Sequence, residues 1–127
     1  MPKQSIDPPN TPPSPLYSQA IKVGNMIFIS GQVARDKDNP VVGKGDIVAQ
    51  AEKVYENMGE VLKAAGATFK DVVKMTTYMV NPEDMGKIRE VRTRYFGNHR
   101  PAATGLVVKR LAHPDFLMEM EAIAVIE

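Results

Sequence analysis

Cysteine and tryptophan are both absent from the chain, and histidine occurs only at positions 99 and 113. Without cysteine there are no disulfides, no thiolate metal sites, no iron–sulfur clusters and no cysteine nucleophile. His99 and His113 form no HExxH or closely spaced pair, so no metal site is expected. The longest apolar run, Met26 to Ile29, falls far short of the ~20 residues of a membrane span. The N-terminal stretch lacks the apolar segment of a signal peptide. A soluble, cytoplasmic protein is expected. Sixteen Lys and Arg against fifteen Asp and Glu leave a net charge of +1. That balance gives no electrostatic reason to expect nucleic acid or an anionic membrane as partner. Gly43-Lys44-Gly45 lacks the remaining glycines and the hydroxyl residue of a phosphate-binding loop. Ser30 stands in Ile-Ser-Gly-Gln rather than in a GxSxG elbow.

What is present is one ordinary domain. The 127 residues are 43% apolar and 24% charged, which is globular usage. Six of the ten prolines lie at 2, 8, 9, 12, 13 and 15. Residues 1–15 therefore read as an extended, proline-rich arm, and residues 16–127 as the single domain. Gln19–Val23 and Met26–Ser30 flank Gly24-Asn25 and predict a hairpin. Residues 34–45 read as a polar loop. Between 46 and 65, Ile47, Ala51, Val54, Tyr55, Met58, Val61, Leu62 and Ala65 recur at helical spacing, with Asp46 as N-cap and Gly66 just past the end. Val72–Val80 reads as a strand, with Val73, Met75 and Met79 opposing Lys74, Thr76 and Tyr78. Asn81-Pro82-Glu83-Asp84 predicts the start of a second helix that ends at Gly97. Ala102–Leu111 and Leu117–Ile126 complete an α+β order of β-β-α-β-α-β-β, with two helices on one face of the sheet.

Both faces of these strands are apolar, yet two helices cover only one. Met26 to Ile29 have no polar side, and Ile123 and Val125 oppose Met120 and Ala122. A homo-oligomer that seals the bare face is expected. Three features suggest chemistry. Glu119 and Glu121 share a strand face, where mutual repulsion or burial would raise a carboxyl's pKa toward neutral. Ser30-Gly31 ends an apolar strand, where a hydroxyl and an unhindered backbone can meet a ligand. Tyr17 offers a phenol that binds a ligand or anchors the arm. From pattern alone, a solvated carboxylate pair, a turn glycine and an anchoring tyrosine explain the same residues.

Tyr-Ser-Gln-Ala at 17–20, Gly-Asn-Met-Ile-Phe-Ile-Ser-Gly-Gln at 24–32, Pro-Ala at 101–102 and Glu-Met-Glu-Ala-Ile-Ala at 119–124 together resemble the Rid (RidA/YjgF) family. The resemblance runs from about residue 15 to the end. It implies a chorismate-mutase-like α+β fold and a homotrimer whose strands form a central barrel, with small-molecule clefts between subunits. It also implies hydrolysis of a reactive enamine or imine to a carbonyl compound and ammonia, with no cofactor. In that family a glutamate near the chain end directs water, and a tyrosine and a Ser-Gly pair complete the cleft. Those roles fall on Glu119 and Tyr17, and on Ser30 and Gly31. The family's Pro-Ala-Arg, whose arginine clamps the substrate carboxylate, reads Pro101-Ala102-Ala103 here. A position often held by Asn falls on Arg89. Losing a charged bidentate contact costs about 3–5 kcal/mol, or hundreds to thousands of fold at about 1.4 kcal/mol per tenfold. Archetypal 2-aminoacrylate is therefore not the expected substrate. Either Arg89, Arg35 or Arg100 replaces the cation, or small Ala103 and Gly105 admit a bulkier enamine. A non-catalytic metabolite-binding role and a ribonuclease or translation-inhibitor role are the alternatives.

Overall fold

The computed structural model describes residues 1–11 and 14–127. Of the proline-rich arm, Pro12 and Pro13 lie outside the described residues. Six strands form one mixed sheet: β1 (Lys3–Ile6), β2 (Ala20–Val23), β3 (Met26–Gln32), β4 (Val72–Met79), β5 (Ala102–Val107) and β6 (Met118–Val125). Their spatial order is β1-β2-β3-β6-β4-β5. Three helices accompany them: α1 (Ile47–Ala64), α2 (Asp84–Lys87) and α3 (Arg89–Phe96).

The hairpin forms as its sequence predicts. Val23 faces Met26 across the turn. Gly24 has φ +60°, while Asn25 keeps a negative φ, the pattern of a two-residue turn with glycine in its first position. Helix α1 begins where Asp46 accepts a hydrogen bond from the Ala49 amide at 3.1 Å. It ends at Gly66, whose φ of +83° would strain any other residue. There the Ala67 amide donates to the Leu62 carbonyl and the Gly66 amide to the Lys63 carbonyl, which satisfies the last turn. Val54, Tyr55, Met58, Val61 and Leu62 are buried against Ile27, Ile29, Met118 and Met120 of the sheet.

Three expectations need correction. Lys3–Ile6 pairs antiparallel with β2 as an edge strand. The segment lies between Pro2 and Pro8 and contains no proline itself, so its amides are free to pair. The second helix does not start at Asn81 and is not continuous. It begins at Asp84 and breaks at Ile88, whose φ of −95° and ψ of 1° interrupt the helical path after Gly86. Val73 does not join Met75 and Met79 in the core. A register shift between Val72 and Lys74 turns it outward, 45% exposed.

The sheet's second face carries Met26, Phe28, Lys74, Thr76, Tyr78, Glu119, Glu121 and Ile123, all exposed or half-buried. Phe28 is 42% exposed beside Ile123.

Candidate functional site

A bulge in β3 builds the first half of the site. Ile29 pairs with Ala122 and Gln32 with Met120, so Ser30 and Gly31 together oppose the single Glu121 of β6. The bulge lets the strand bend while Ile29 and Gln32 both point into the core. It also presents the bare Cα of Gly31 to Glu119. A Cβ at Gly31 would lie 2.1 Å from Glu119 Oε2 and 2.7 Å from its Cδ. The carboxyl thus occupies the space a side chain would take. Ser30 is fixed from both ends: its amide donates to the Gln19 carbonyl at 2.9 Å, and its hydroxyl donates to the Ser18 carbonyl at 2.7 Å. The hydroxyl oxygen keeps lone pairs for another donor.

Glu119 and Glu121 stand two apart on β6, half-buried on the face away from the helices. Burial holds the Glu119 carboxyl above the ordinary carboxylate range; the neighbouring Glu121 charge adds to this, and Arg35 opposes it. Tyr78 on β4 donates a hydrogen bond to Glu121, and this bond pushes the Tyr78 phenol up. Arg35 also donates from Nη2 to the Tyr17 hydroxyl at 3.1 Å. Tyr17, Ser30, Gly31, Arg35 and Glu119 therefore gather on one side of the molecule, centred on a carboxyl whose pKa burial raises.

Ala103, Gly105 and Arg89 are elsewhere. Parallel pairing of β4 with β5 sets Ala103 beside Met75 and Gly105 beside Thr77. Met75 and Thr77 face the helices. Ala103 and Gly105 therefore share that face, while Glu119 lies on the opposite one. An open cavity of about 320 Å³ is lined by Thr77, Met85, Arg92, Ala103, Thr104 and Gly105. A second, of about 150 Å³, adjoins it through Thr77, Met85 and Arg92 and reaches Tyr55, Ile88 and Arg89. A Cβ at Gly105 would meet the Met85 methyl at 2.8 Å, so glycine there lets Met85 lie against the strand. The Glu119 cluster and the Ala103–Gly105 cavity thus lie on opposite faces of one sheet.

Sequence reasoning passed over Tyr55, Thr77 and Arg92 as site residues. Arg92 had a readable signal: it lies four residues from Ile88 and four from Phe96, inside the apolar stripe. Among the described residues, no cluster of three His, Asp or Glu side chains is arranged to hold a metal.

The family described as Endoribonuclease L-PSP matches residues 9–126. The chain belongs to the Rid (RidA/YjgF) family. Among Rid relatives, a RutC family protein of Pyrococcus abyssi is 47% identical over 114 residues, covering 88% of this chain and 89% of its own. A 2-iminobutanoate/2-iminopropanoate deaminase of Mus musculus is 39% identical over 109 residues, covering 86% of this chain and 80% of its own. Among solved Rid structures, RidA from an Antarctic Psychrobacter superimposes with a TM-score of 0.89 at 33% identity, covering 97% of this chain and 99% of that one. TdcF of E. coli, solved with bound serine, gives 0.88 at 30% identity, covering 98% and 99%. The six-stranded α+β fold is that of these Rid proteins.

Proposed function

We propose that this Rid protein hydrolyses a small reactive enamine or imine to a carbonyl compound and ammonia. The observation that carries the reading is the Glu119 carboxyl, seated on Gly31 and held protonated to higher pH by burial. Hydrolysis of a C=N bond needs one group that moves a proton twice. The protonated Glu119 first supplies the proton that the enamine takes up at carbon, which gives the iminium ion and leaves Glu119 a carboxylate. Water then adds to the iminium carbon and gives one proton to Glu119. Glu119 passes that proton to nitrogen, the C–N bond breaks to release ammonia, and the remaining hydroxyl proton returns to Glu119 as C=O forms. A raised pKa makes a carboxyl a better proton acceptor while it remains able to donate. The Ser30 hydroxyl and the Tyr17 phenol orient the ligand. The deaminases among the relatives support the reaction class.

The cleft in this reading lies between copies of the chain. Glu119 and the Ala103–Gly105 cavity occupy opposite faces of one sheet. A second copy is the simplest way to bring the two together. The open sheet face supplies the apolar surface for such assembly, with Phe28 42% and Leu106 43% exposed. We take the assembly to be a homotrimer with a chorismate-mutase-like barrel. Ala103 stands where the family's carboxylate-clamping arginine is expected.

Ammonia release from a panel of imines generated in situ tests the reaction. The native protein should accelerate release, and Glu119→Gln should abolish the acceleration. A native protein that leaves every imine at its spontaneous rate would refute it.

A further inference from the structure

The Ala103 cavity lacks a strand cation, but it does not lack a cation. Arg92 lines both adjoining cavities, and Arg89 lines the inner one. Arg92 is half-buried, whereas Arg94, two residues on, is exposed and paired with Glu52 at 2.7 Å. Among the described residues, neither Arg89 nor Arg92 makes an ion pair. The buried acid nearby in sequence, Asp84, is engaged by Lys87 at 3.5 Å and by Asn81 at 3.4 Å. The Arg92 guanidinium lies 5.7 Å from the Phe96 ring centroid, which restricts its orientation before any ligand arrives.

Two hydroxyls face the same space. Thr77 and Tyr55 are both buried and both line the inner cavity, and neither side chain makes a hydrogen bond among the described residues. Burial raises the Tyr55 phenol to about 12, and the Arg92 charge works against that rise. The phenol thus stays protonated and can donate. An unpaired guanidinium fork with two hydroxyl donors is a planar-anion binder. The apolar parts of the cavity, Met85 and Ala103, suit a short carbon chain.

We propose that Arg92, assisted by Arg89 and the Tyr55 and Thr77 hydroxyls, binds the carboxylate of a small 2-imino or 2-oxo acid. It would thereby supply from α3 the charge that position 103 on β5 lacks. The identity of the ligand rests on the hydrolytic reading above; the presence of an anion site does not.

Calorimetric titration of the full chain with 2-oxobutanoate, a stable ketone counterpart of an imino acid, tests this. Native protein should bind it, and should not bind neutral 2-butanone. Arg92→Met should weaken binding about 30-fold, as expected for the loss of a charged hydrogen-bonded contact. Arg92→Lys, which keeps the charge but not the fork, should lose about tenfold, and Arg94→Met less than twofold. Arg92→Met combined with Ala103→Arg should recover most of the loss, which a merely unfolded variant could not do. The proposal falls if native protein ignores the oxo acid. It also falls if Arg92→Met binds within threefold of native, or if inorganic phosphate binds as tightly with the same Arg92 dependence. The two readings separate cleanly. Arg92-dependent binding without ammonia release would leave the anion site and remove the hydrolase. Ammonia release with kcat/KM unchanged in Arg92→Met would do the reverse.

Discussion

Gly31→Ala is the smallest change that separates the site from the fold. The new Cβ would stand 2.1 Å from Glu119 Oε2 and 3.0 Å from its Cγ, where ordinary contacts begin near 3.4 Å. The carboxyl must therefore retreat by more than an ångström. It is the far end of a flexible side chain, so it can do so without moving backbone. Gly31 does not have a positive φ, so alanine fits its conformation. Replacing glycine at such a position stabilises by about 0.4–1 kcal/mol, because the unfolded chain loses freedom. A catalytic group misplaced by ~1 Å loses on the order of 100-fold in rate. The expected variant is thus as stable as its parent, or slightly more so, with kcat/KM for ammonia release down about 100-fold. Melting curves and steady-state assays read both quantities. Full activity in Gly31→Ala would refute the reasoning.

Two further outcomes follow from the same contacts. Glu119 binds its proton more tightly folded than unfolded, chiefly through burial, so ionising it costs stability. Below its ordinary value of 4.5 both states are protonated and the cost is absent; it grows as pH rises through the raised folded value. Glu119→Gln should therefore melt above its parent at pH 8, with the gap closing toward pH 4; a pH-independent gap would contradict this assignment. Gln50 is fully buried and ties α1 to the loop before β6: its Nε2 donates to the Asp115 carbonyl at 2.8 Å and the Gly43 carbonyl at 3.2 Å, and its Oε1 accepts from the Leu117 amide at 2.8 Å. Gln50→Ala should cost about 3–4 kcal/mol in urea unfolding, because three backbone groups lose their partner; a loss under 1 kcal/mol would show that water replaces them.

The elements with local signals were legible. Asp46, the apolar spacing of α1 and Gly66 define that helix from its own residues, and the Gly24-Asn25 turn fixes its hairpin. Glu119 and Glu121 share a face because strand periodicity requires it. Lys3–Ile6 was hidden by the prolines around it, although none lies within it. The break at Ile88 has no strong sequence mark beyond Gly86. The contact of Glu119 with Gly31 was reachable only through family resemblance, since nothing local reports that a bulge places them together. The separation of Ala103 from Glu119 was not legible at all. It follows from the parallel register of β4 with β5 and the antiparallel register of β4 with β6, both long-range facts. Arg92 carries a charge and so does not count toward an apolar stripe, yet its spacing from Ile88 and Phe96 turns it inward, where it is half-buried.

Subunit mixing tests most directly whether one cleft draws on two chains. Glu119→Gln disables one half-site, and Gly105→Trp fills the cavity of the other. Each variant alone should be inactive. Unfolded together and reassembled in equal amounts, they should regain about a quarter of native ammonia release, because random pairing restores both intact halves in about that share of clefts. If the mixture stays as inactive as its parents while native protein survives the same treatment, both halves belong to one chain and the account is wrong.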